Sequence, residues 1–398
     1  MATENNNKTL NVPNLRFPEF RGEWEKFRND SLFNVVSEKN KGKQITSVLS
    51  ASQTDGMVSR DSLGIDIKFE EDSIKNYKIV HEGDYVIHLR SFQGGFAFSD
   101  RVGVCSPAYT ILRPTQQISY GFLKPFFMSN KFIDSLRLVT YGIRDGKSIS
   151  VEEWLKLNTN LPSVEEQKKI SIFLSLLDDR IATQIKIIED LKKLKSAISK
   201  LLFARKDLLE TTICLSDIAT LKNGYAFQSS KYNPLGKWKI LTIANVPGER
   251  NINDEDCNCI INLPSDIQNH QVLKEGDILI SLTGNVGRVS LCTDGNYLLN
   301  QRVGLLQLKQ GVNREYIYQA LSCRRFEQTM ISCGQGAAQM NIGKGDVEDY
   351  TIPYSANSLN LEVVASTLKT YDLLISVEVD RLRLFMQQKQ YLLAQMFI

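Results

Sequence analysis

Between positions 163 and 206 the chain reads SVEEQKKISIFLSLLDDRIATQIKIIEDLKKLKSAISKLLFARK, with no proline and no glycine. Apolar residues fall at Ile170, Leu174, Leu177, Ile181, Ile185, Ile188, Leu191, Leu194, Ile198 and Leu201, always three or four apart. This spacing predicts one uninterrupted helix that buries a single stripe, with a mean period near that of a coiled-coil seam. Ser163 followed by Glu166 reads as a capping box, in which the Glu166 side chain reaches back to the N–H of Ser163. At the rise of an α-helix, about 40 residues make a rod of roughly 60 Å. Such a rod cannot cover its own stripe, so it needs a partner of similar length.

The chain supplies one. Over residues 358–398 apolar side chains recur at Leu361, Val364, Leu368, Tyr371, Ile375, Leu382, Phe385, Leu392 and Met396, with polar residues at Glu378 and Lys389. The two stretches are expected to pack as an antiparallel coiled coil. Its seam is expected at Ile170, Leu174, Leu177, Ile181, Ile185, Ile188, Leu191 and Ile198 on one side. Leu368, Tyr371, Ile375, Leu382 and Phe385 are expected on the other.

An internal repeat sets the rest of the organisation. YKIVHEGDYVIHLRS in the first half matches HQVLKEGDILISLTG in the second, which places Glu82-Gly83-Asp84 and Glu275-Gly276-Asp277 193 residues apart. Leu161-Pro162 recurs as Ile352-Pro353, each opening a long helix, and KLLF at 200–203 recurs as AQMF at 394–397. One offset kept over several motifs in one order is the mark of a duplicated unit. Within each half, short β-type runs alternate with Gly- and Asn-rich turns and one helical stretch, near 122–139 and near 314–330. The fold class expected is α+β: two pseudo-symmetric mixed α/β domains separated by two long helices. The domains expected are 1–160, opening on an aromatic arm, and 211–352, with spacer helices at 161–210 and 353–398. Residues 1–11 are polar and expected to be disordered.

Composition narrows the function by exclusion. No apolar run is long enough to span a membrane, and the polar N-terminus has no signal core, so a cytoplasmic protein is expected. Seven scattered cysteines suit reduced thiols rather than a disulfide framework. The net charge is only +3, but residues 163–206 alone carry ten Lys and Arg against six Asp and Glu. GIRDGKS at 142–148 is one residue short of a phosphate loop. Cys257 and Cys259 lack a second pair at zinc spacing, and no nucleophile elbow is present. No catalytic residue, metal or cofactor is therefore expected. What remains is a ruler: two similar but non-identical domains held apart by helices, suited to reading two separated targets through polar loops.

At this point the chain resembles the specificity subunit of type I restriction-modification systems. The resemblance rests on Arg16-Phe17-Pro18-Glu19-Phe20 with Trp24, on LPSVEEQKKI at 161–170, on Asn223-Gly224-Tyr225-Ala226-Phe227, and on GQGAAQMNI at 334–342. It implies two target-recognition domains, each reading one half of a bipartite site on double-stranded DNA. It also implies helices that space the domains and dock two modification (methyltransferase) subunits, with restriction (translocase and nuclease) subunits joining, and a role in bacterial defence without catalysis of its own. The other reading of this geometry is a coiled-coil protein–protein scaffold whose domains bind no DNA. Polar tips of turns are the expected DNA contacts. In the first domain these are Gln53, Ser91, Gln93, Arg144 and Lys147. In the second they are Asn223, Tyr225, Thr283, Asn285, Arg288, Gln335, Gln339 and Asn341. Neighbouring glycines permit close backbone approach. The second half lacks the Glu-Glu-Gln-Lys that follows Pro162, so neither the cap nor any docking carried by that signature is expected there.

Overall fold

A computed structural model describes residues 11–42, 45–52, 55–60, 71–88, 95–141, 148–334 and 340–398. The expected disorder at the N-terminus falls almost wholly outside these residues. The chain divides into two compact units, residues 1–184 with 381–398, and residues 185–380.

The breaker-free stretches form helices Val164–Ala204 and Ser358–Met396, and each contributes one part to each unit. In the first unit Lys389 pairs with Asp178 at 2.5 Å, and Arg180 lies over the ring of Phe385. In the second unit Lys195 pairs with Asp372 at 2.5 Å. There Asn360, earlier on the second helix, donates to the carbonyl of Leu208, just past the first, so within each unit the two helices run antiparallel. The two ion pairs are also the same pair seen twice: Lys195 and Lys389 lie 194 residues apart, as do Asp178 and Asp372.

The seam corrects the sequence reading at one position. Ile185 was expected in it but is 43% exposed, while Gln184 is buried. The buried or half-buried row is 170, 174, 177, 181, 184, 188, 191, 195 and 198, a strict alternation of four and three. Following apolar residues alone puts two steps of four in succession at 177, 181 and 185. That swings the side chain about 40° per step off the line of contact. The helix keeps its period and accepts Gln184 and Lys195, leaving Ile185 and Leu194 outside. On the other helix Leu368 is buried, and Tyr371, Ile375, Leu382 and Phe385 are half-buried, as are the polar Glu378 and Lys389.

Each unit holds a four-stranded antiparallel sheet of the same order. In the first unit it is Phe33–Val36, Thr110–Pro114, Tyr85–Ile87 and Phe96–Phe98. In the second it is Ala219–Asn223, Val303–Leu308, Ile278–Ser281 and Val289–Leu291. The Glu-Gly-Asp turns feed matching strands. Gly83 and Gly276 both have positive φ, and Asp84 and Asp277 each accept a hydrogen bond from a backbone N–H three residues back, at 2.9 and 2.8 Å. Each expected single helix is instead two. The first splits into Leu123–Phe127 and Asn130–Ser135, where Ser129 caps the second piece by accepting from the N–H of Phe132. The second splits into Arg314–Leu321 and Arg324–Cys333.

The start of the first long helix shows what the LPSVEEQ motif is for. Ser163 Oγ accepts from the N–H of Glu166, but the Glu166 carboxylate faces the N-terminal arm, where Arg16 donates to both its oxygens at 2.8 and 2.7 Å. This replaces the expected return half of the capping box. Gln167 accepts from the Ser119 N–H and donates to the carbonyls of Gln117 and Pro162. Glu166 and Gln167 are each 1% exposed, so these side chains lock arm, domain and helix together. The second long helix uses a different anchor. Asn357 accepts from the N–H of Leu359, Asn360 donates to the carbonyl of Leu208, and Glu210 accepts from Ser355.

Both helices end in the core of a domain. Phe397 meets Trp24, Phe122 and Phe126 at centroid distances of 6.4, 5.5 and 5.5 Å. Phe203, its counterpart 194 residues earlier, meets Tyr316 at 6.0 Å.

Candidate nucleic-acid interface

The strand register of the second unit brings several turns to one end of its sheet. Asn223 ends the edge strand and pairs with Gly304, Val303 pairs with Ser281, and Val289 pairs with Ile280. The chain on the open side of those pairs is therefore 224–227, 282–288 and 300–302. A fourth segment joins them, because Gly284 donates to the Met340 carbonyl, Ile342 donates to the Leu282 carbonyl, and Thr283 bridges Asn341.

The turn from Ser281 to Arg288 is held from within. Ser281 Oγ donates to the Asn285 carbonyl and accepts from the Arg288 N–H, and Gly287 donates to the Ser281 carbonyl. Gly284 and Gly287 sit at φ +70° and +77°, and a Cβ on Gly287 would lie 2.6 Å from Met330. Glycine is thus required there both for its backbone angle and for the turn to seat on the helix Arg324–Cys333. Asn285 is left at the exposed tip. Such a turn presents a polar side chain with little freedom to lose on binding.

Of the expected contacts, Asn223, Tyr225, Thr283, Asn285, Arg288 and Asn341 come to this edge. Tyr225 donates its hydroxyl to Asp266 at 2.8 Å, and that hydrogen bond, with burial, raises its pKa. Its ring lies 4.9 Å from Phe227. Arg288 is half-buried beside Gly248 and lies 3.6 Å from Glu327. Thr283 Oγ1 is enclosed and finds no hydrogen-bond partner among the described residues. Gln53, Ser91, Gln93, Arg144, Lys147, Gln335 and Gln339 lie outside the described residues.

The register also exposes residues that sequence reasoning missed. Arg302 accepts from the Leu282 N–H through its carbonyl and donates its own N–H to Asn300 Oδ1 at 3.1 Å. The residue is exposed and has no carboxylate partner among the described residues, and its backbone stands between the 282–288 turn and Tyr225, whose carbonyl accepts from the Gln301 N–H. In the first unit the pairing of Thr110 with Ile87 puts Tyr109 at the same end of the matching strand. Its ring lies 6.1 Å from His88, whose pKa is lowered by burial. The repeat offset was the signal available for both, since it aligns the strands that Arg302 and Tyr109 precede.

Among the described residues no group of His, Cys, Asp and Glu is placed to hold a metal, and no helix is long and apolar enough to cross a membrane.

The family model for the type I restriction modification DNA specificity domain matches the chain twice, at residues 21–193 and 210–382. The type I restriction enzyme MjaVIII specificity subunit of Methanocaldococcus jannaschii is 27% identical over 391 residues, covering 92% of this chain and 89% of that protein. The crystal structure of a type I restriction-modification S subunit from M. genitalium shares the fold with a TM-score of 0.58 at 14% identity, over 97% of this chain and 99% of that one. A chain from a structure of the type I R-M system, concerning its complex assembly and conformational transition, gives 0.56 at 15% identity, over 93% and 96%.

Proposed function

The chain belongs to the type I restriction-modification DNA specificity family, and from that premise we propose that it is the sequence-reading, non-catalytic subunit of a type I restriction-modification complex. Recognition domains at 1–160 and 211–352 each read one half of a bipartite site on duplex DNA, and the helical segments 161–210 and 353–398 fix the gap between the half-sites. Modification subunits dock on the helices, whose outer faces expose Ile172, Leu176, Val377 and Leu384. Restriction subunits complete the assembly.

The observation that carries this reading is the gathering of Tyr225, Asn285, Arg302 and Asn341 from four separate segments onto one sheet edge. These are donor and acceptor side chains of the kind that read base edges in a major groove, on a support fixed by backbone hydrogen bonds. In the first unit, His88 and Tyr109 stand at the matching edge, with different chemistry for a different half-site.

Methylation mapping with the partner subunits present tests both claims. Asn285→Ala or Arg302→Ala should weaken or relax one half-site only, by about 1–3 kcal/mol per lost base contact. Deleting one heptad from each long helix should shorten the gap by about 10 Å, or about three base pairs. An unchanged gap would show that the helices are not the ruler. Binding to duplex DNA that is insensitive to every edge substitution would favour the scaffold reading.

A further inference from the structure

A cavity of about 540 Å³ opens in the second unit, away from the reading edge. It lies between the end of the first long helix, the N-terminus of the helix Arg324–Cys333 and the strand Thr351–Tyr354. Tyr350, in its wall, accepts a hydrogen bond from Leu215, which precedes the sheet strand whose far end is Asn223. The cavity and the reading edge are thus at opposite ends of one sheet.

Its lining is one-sided in charge. Lys192, Lys195, Lys200, Arg324 and Arg325 face it, and no carboxylate does. Lys192 and Lys195 are paired, with Glu249 and Asp372. Lys200, Arg324 and Arg325 have no carboxylate partner among the described residues, and all three are exposed. The N-terminus of the ten-residue helix Arg324–Cys333 adds to the field. Its capping position is Cys323, whose thiol donates to the Ala320 carbonyl and gives the helix no side-chain cap. Free N–H groups, the helix dipole and two arginines of the first turn therefore converge on one wall.

The opposite wall is apolar, and the repeat explains why it is open. In the first unit Phe126 stacks on Phe397 at an interplanar angle of 29°, and Trp24 closes the other side. The counterparts in the second unit are Ala320 and Glu210, against Phe203. One face of Phe203 thus lacks the ring that its twin carries. The rim differs in the same sense, since the counterparts of Lys200 and Arg324 are Ala394 and Asn130.

We propose that this cavity binds a nucleotide, its base stacked on Phe203 in the place Phe126 takes in the first unit, its phosphates on the helix N-terminus, Lys200, Arg324 and Arg325. The volume is that of a small-molecule site. Unlike a protein segment, a nucleotide joins a flat aromatic body to a dense polyanion within that space.

Calorimetric titration of the full-length chain tests this with three probes: ATP, inorganic triphosphate and a short acidic peptide. ATP should bind saturably, and triphosphate should bind at least roughly tenfold more weakly because stacking is lost. Lys200→Gln with Arg325→Gln, both at exposed positions, should weaken ATP and triphosphate alike by roughly tenfold or more. Phe203→Leu should weaken ATP and leave triphosphate unchanged, with circular dichroism confirming the fold. Absence of saturable ATP binding overturns the proposal. So does equal affinity for ATP and triphosphate, or tighter binding of the acidic peptide. None of these outcomes depends on DNA recognition.

Discussion

The two places where a long helix enters a domain are copies of one joint, built from different chemistry. In the first unit Phe397 is surrounded by Trp24, Phe122 and Phe126. In the second, the ring contact of Phe203 among the described residues is the one matching Phe122, with Tyr316. A polar network lies nearby, and its Lys195 and Gln319 line the same cavity as Phe203. Arg250 donates to both oxygens of Glu315 at 2.7 Å and reaches Asp372 at 3.3 Å. Gln319 donates to Glu315 and Asp372, and Lys195 completes the set. The Lys–Asp pair between helices is common to both units, so the helical frame has been kept while the fit of domain to helix has changed. An aromatic joint is held by buried area, which carries no titrating group. An ionic joint holds only while every charge keeps its partner.

The comparison breaks most readily at its two centres. Phe397→Ala should cost the first unit about 3–5 kcal/mol, as removal of a large core aromatic does. Asp372→Ala should cost the second unit a similar amount, about 3–5 kcal/mol, because Lys195 would be left without its counter-charge while Arg250 and Gln319 each lose an acceptor. Amide hydrogen exchange should place each loss in its own unit. If Asp372→Ala left protection of the second unit intact, the ionic joint would be ornamental. Asp178→Ala, the twin substitution in the first unit, is the sharpening control. Its side chain is 41% exposed and no arginine among the described residues of the domain joins it, so its cost should stay below about 1 kcal/mol.

Acid should separate the joints next. Burial alone would raise the Glu315 pKa, but hydrogen bonds from Arg250 and Gln319, with the charges of Arg250 and Lys369, hold it below its ordinary 4.5. Asp372 and Tyr318 complete the titratable groups around the Arg250 guanidinium, whose own pKa is raised despite its burial. A carboxylate depressed on folding contributes stability that is fully present above its unfolded pKa and is lost as pH falls through the folded one. Below about pH 4.5 the amides of Arg314–Leu321 should therefore lose protection before those of Leu123–Phe127. Simultaneous loss would mean that the two joints do not differ as described.

The duplicated frame was legible in the sequence because its signals are local and repeat. A breaker-free 3–4 period names a helix, and a constant offset names a copy. Ile185 misled because hydrophobicity and helical phase disagree there, and phase wins when a seam runs over many turns. The split helices were hidden because Ser129 acts as a cap only once the chain turns, and Cys323, which supplies no side-chain cap, carries no sequence signal of a break. Half of the reading edge was visible as polar turn tips, from Asn223 to Asn341. Arg302 was not, since it follows no glycine and looks like part of a strand. Only the pairing of Val303 with Ser281 puts it beside the 282–288 turn.

The smallest test uses the closest pair of copies. Asp84 and Asp277 cap the same turn, but Asp84 also receives both arms of Arg113 at 3.0 Å, whereas the matching position in the second unit is the uncharged Gln307. Burial raises the pKa of Asp277, with Arg314 and Lys274 only partly opposing it. Asparagine can still accept the capping hydrogen bond at either site. Asp84→Asn should therefore destabilise by about 1 kcal/mol, discounted because Arg113 is 38% exposed. Asp277→Asn should be neutral or stabilise by a few tenths of a kcal/mol at neutral pH. A carboxylate raised on folding costs stability above its folded pKa, and that cost fades as pH falls through it, so any gain from Asp277→Asn should shrink on acidification. The same substitution in two copies of one turn should thus carry opposite signs. Equal losses in thermal melts would show that the turn, and not the missing arginine, decides the energy.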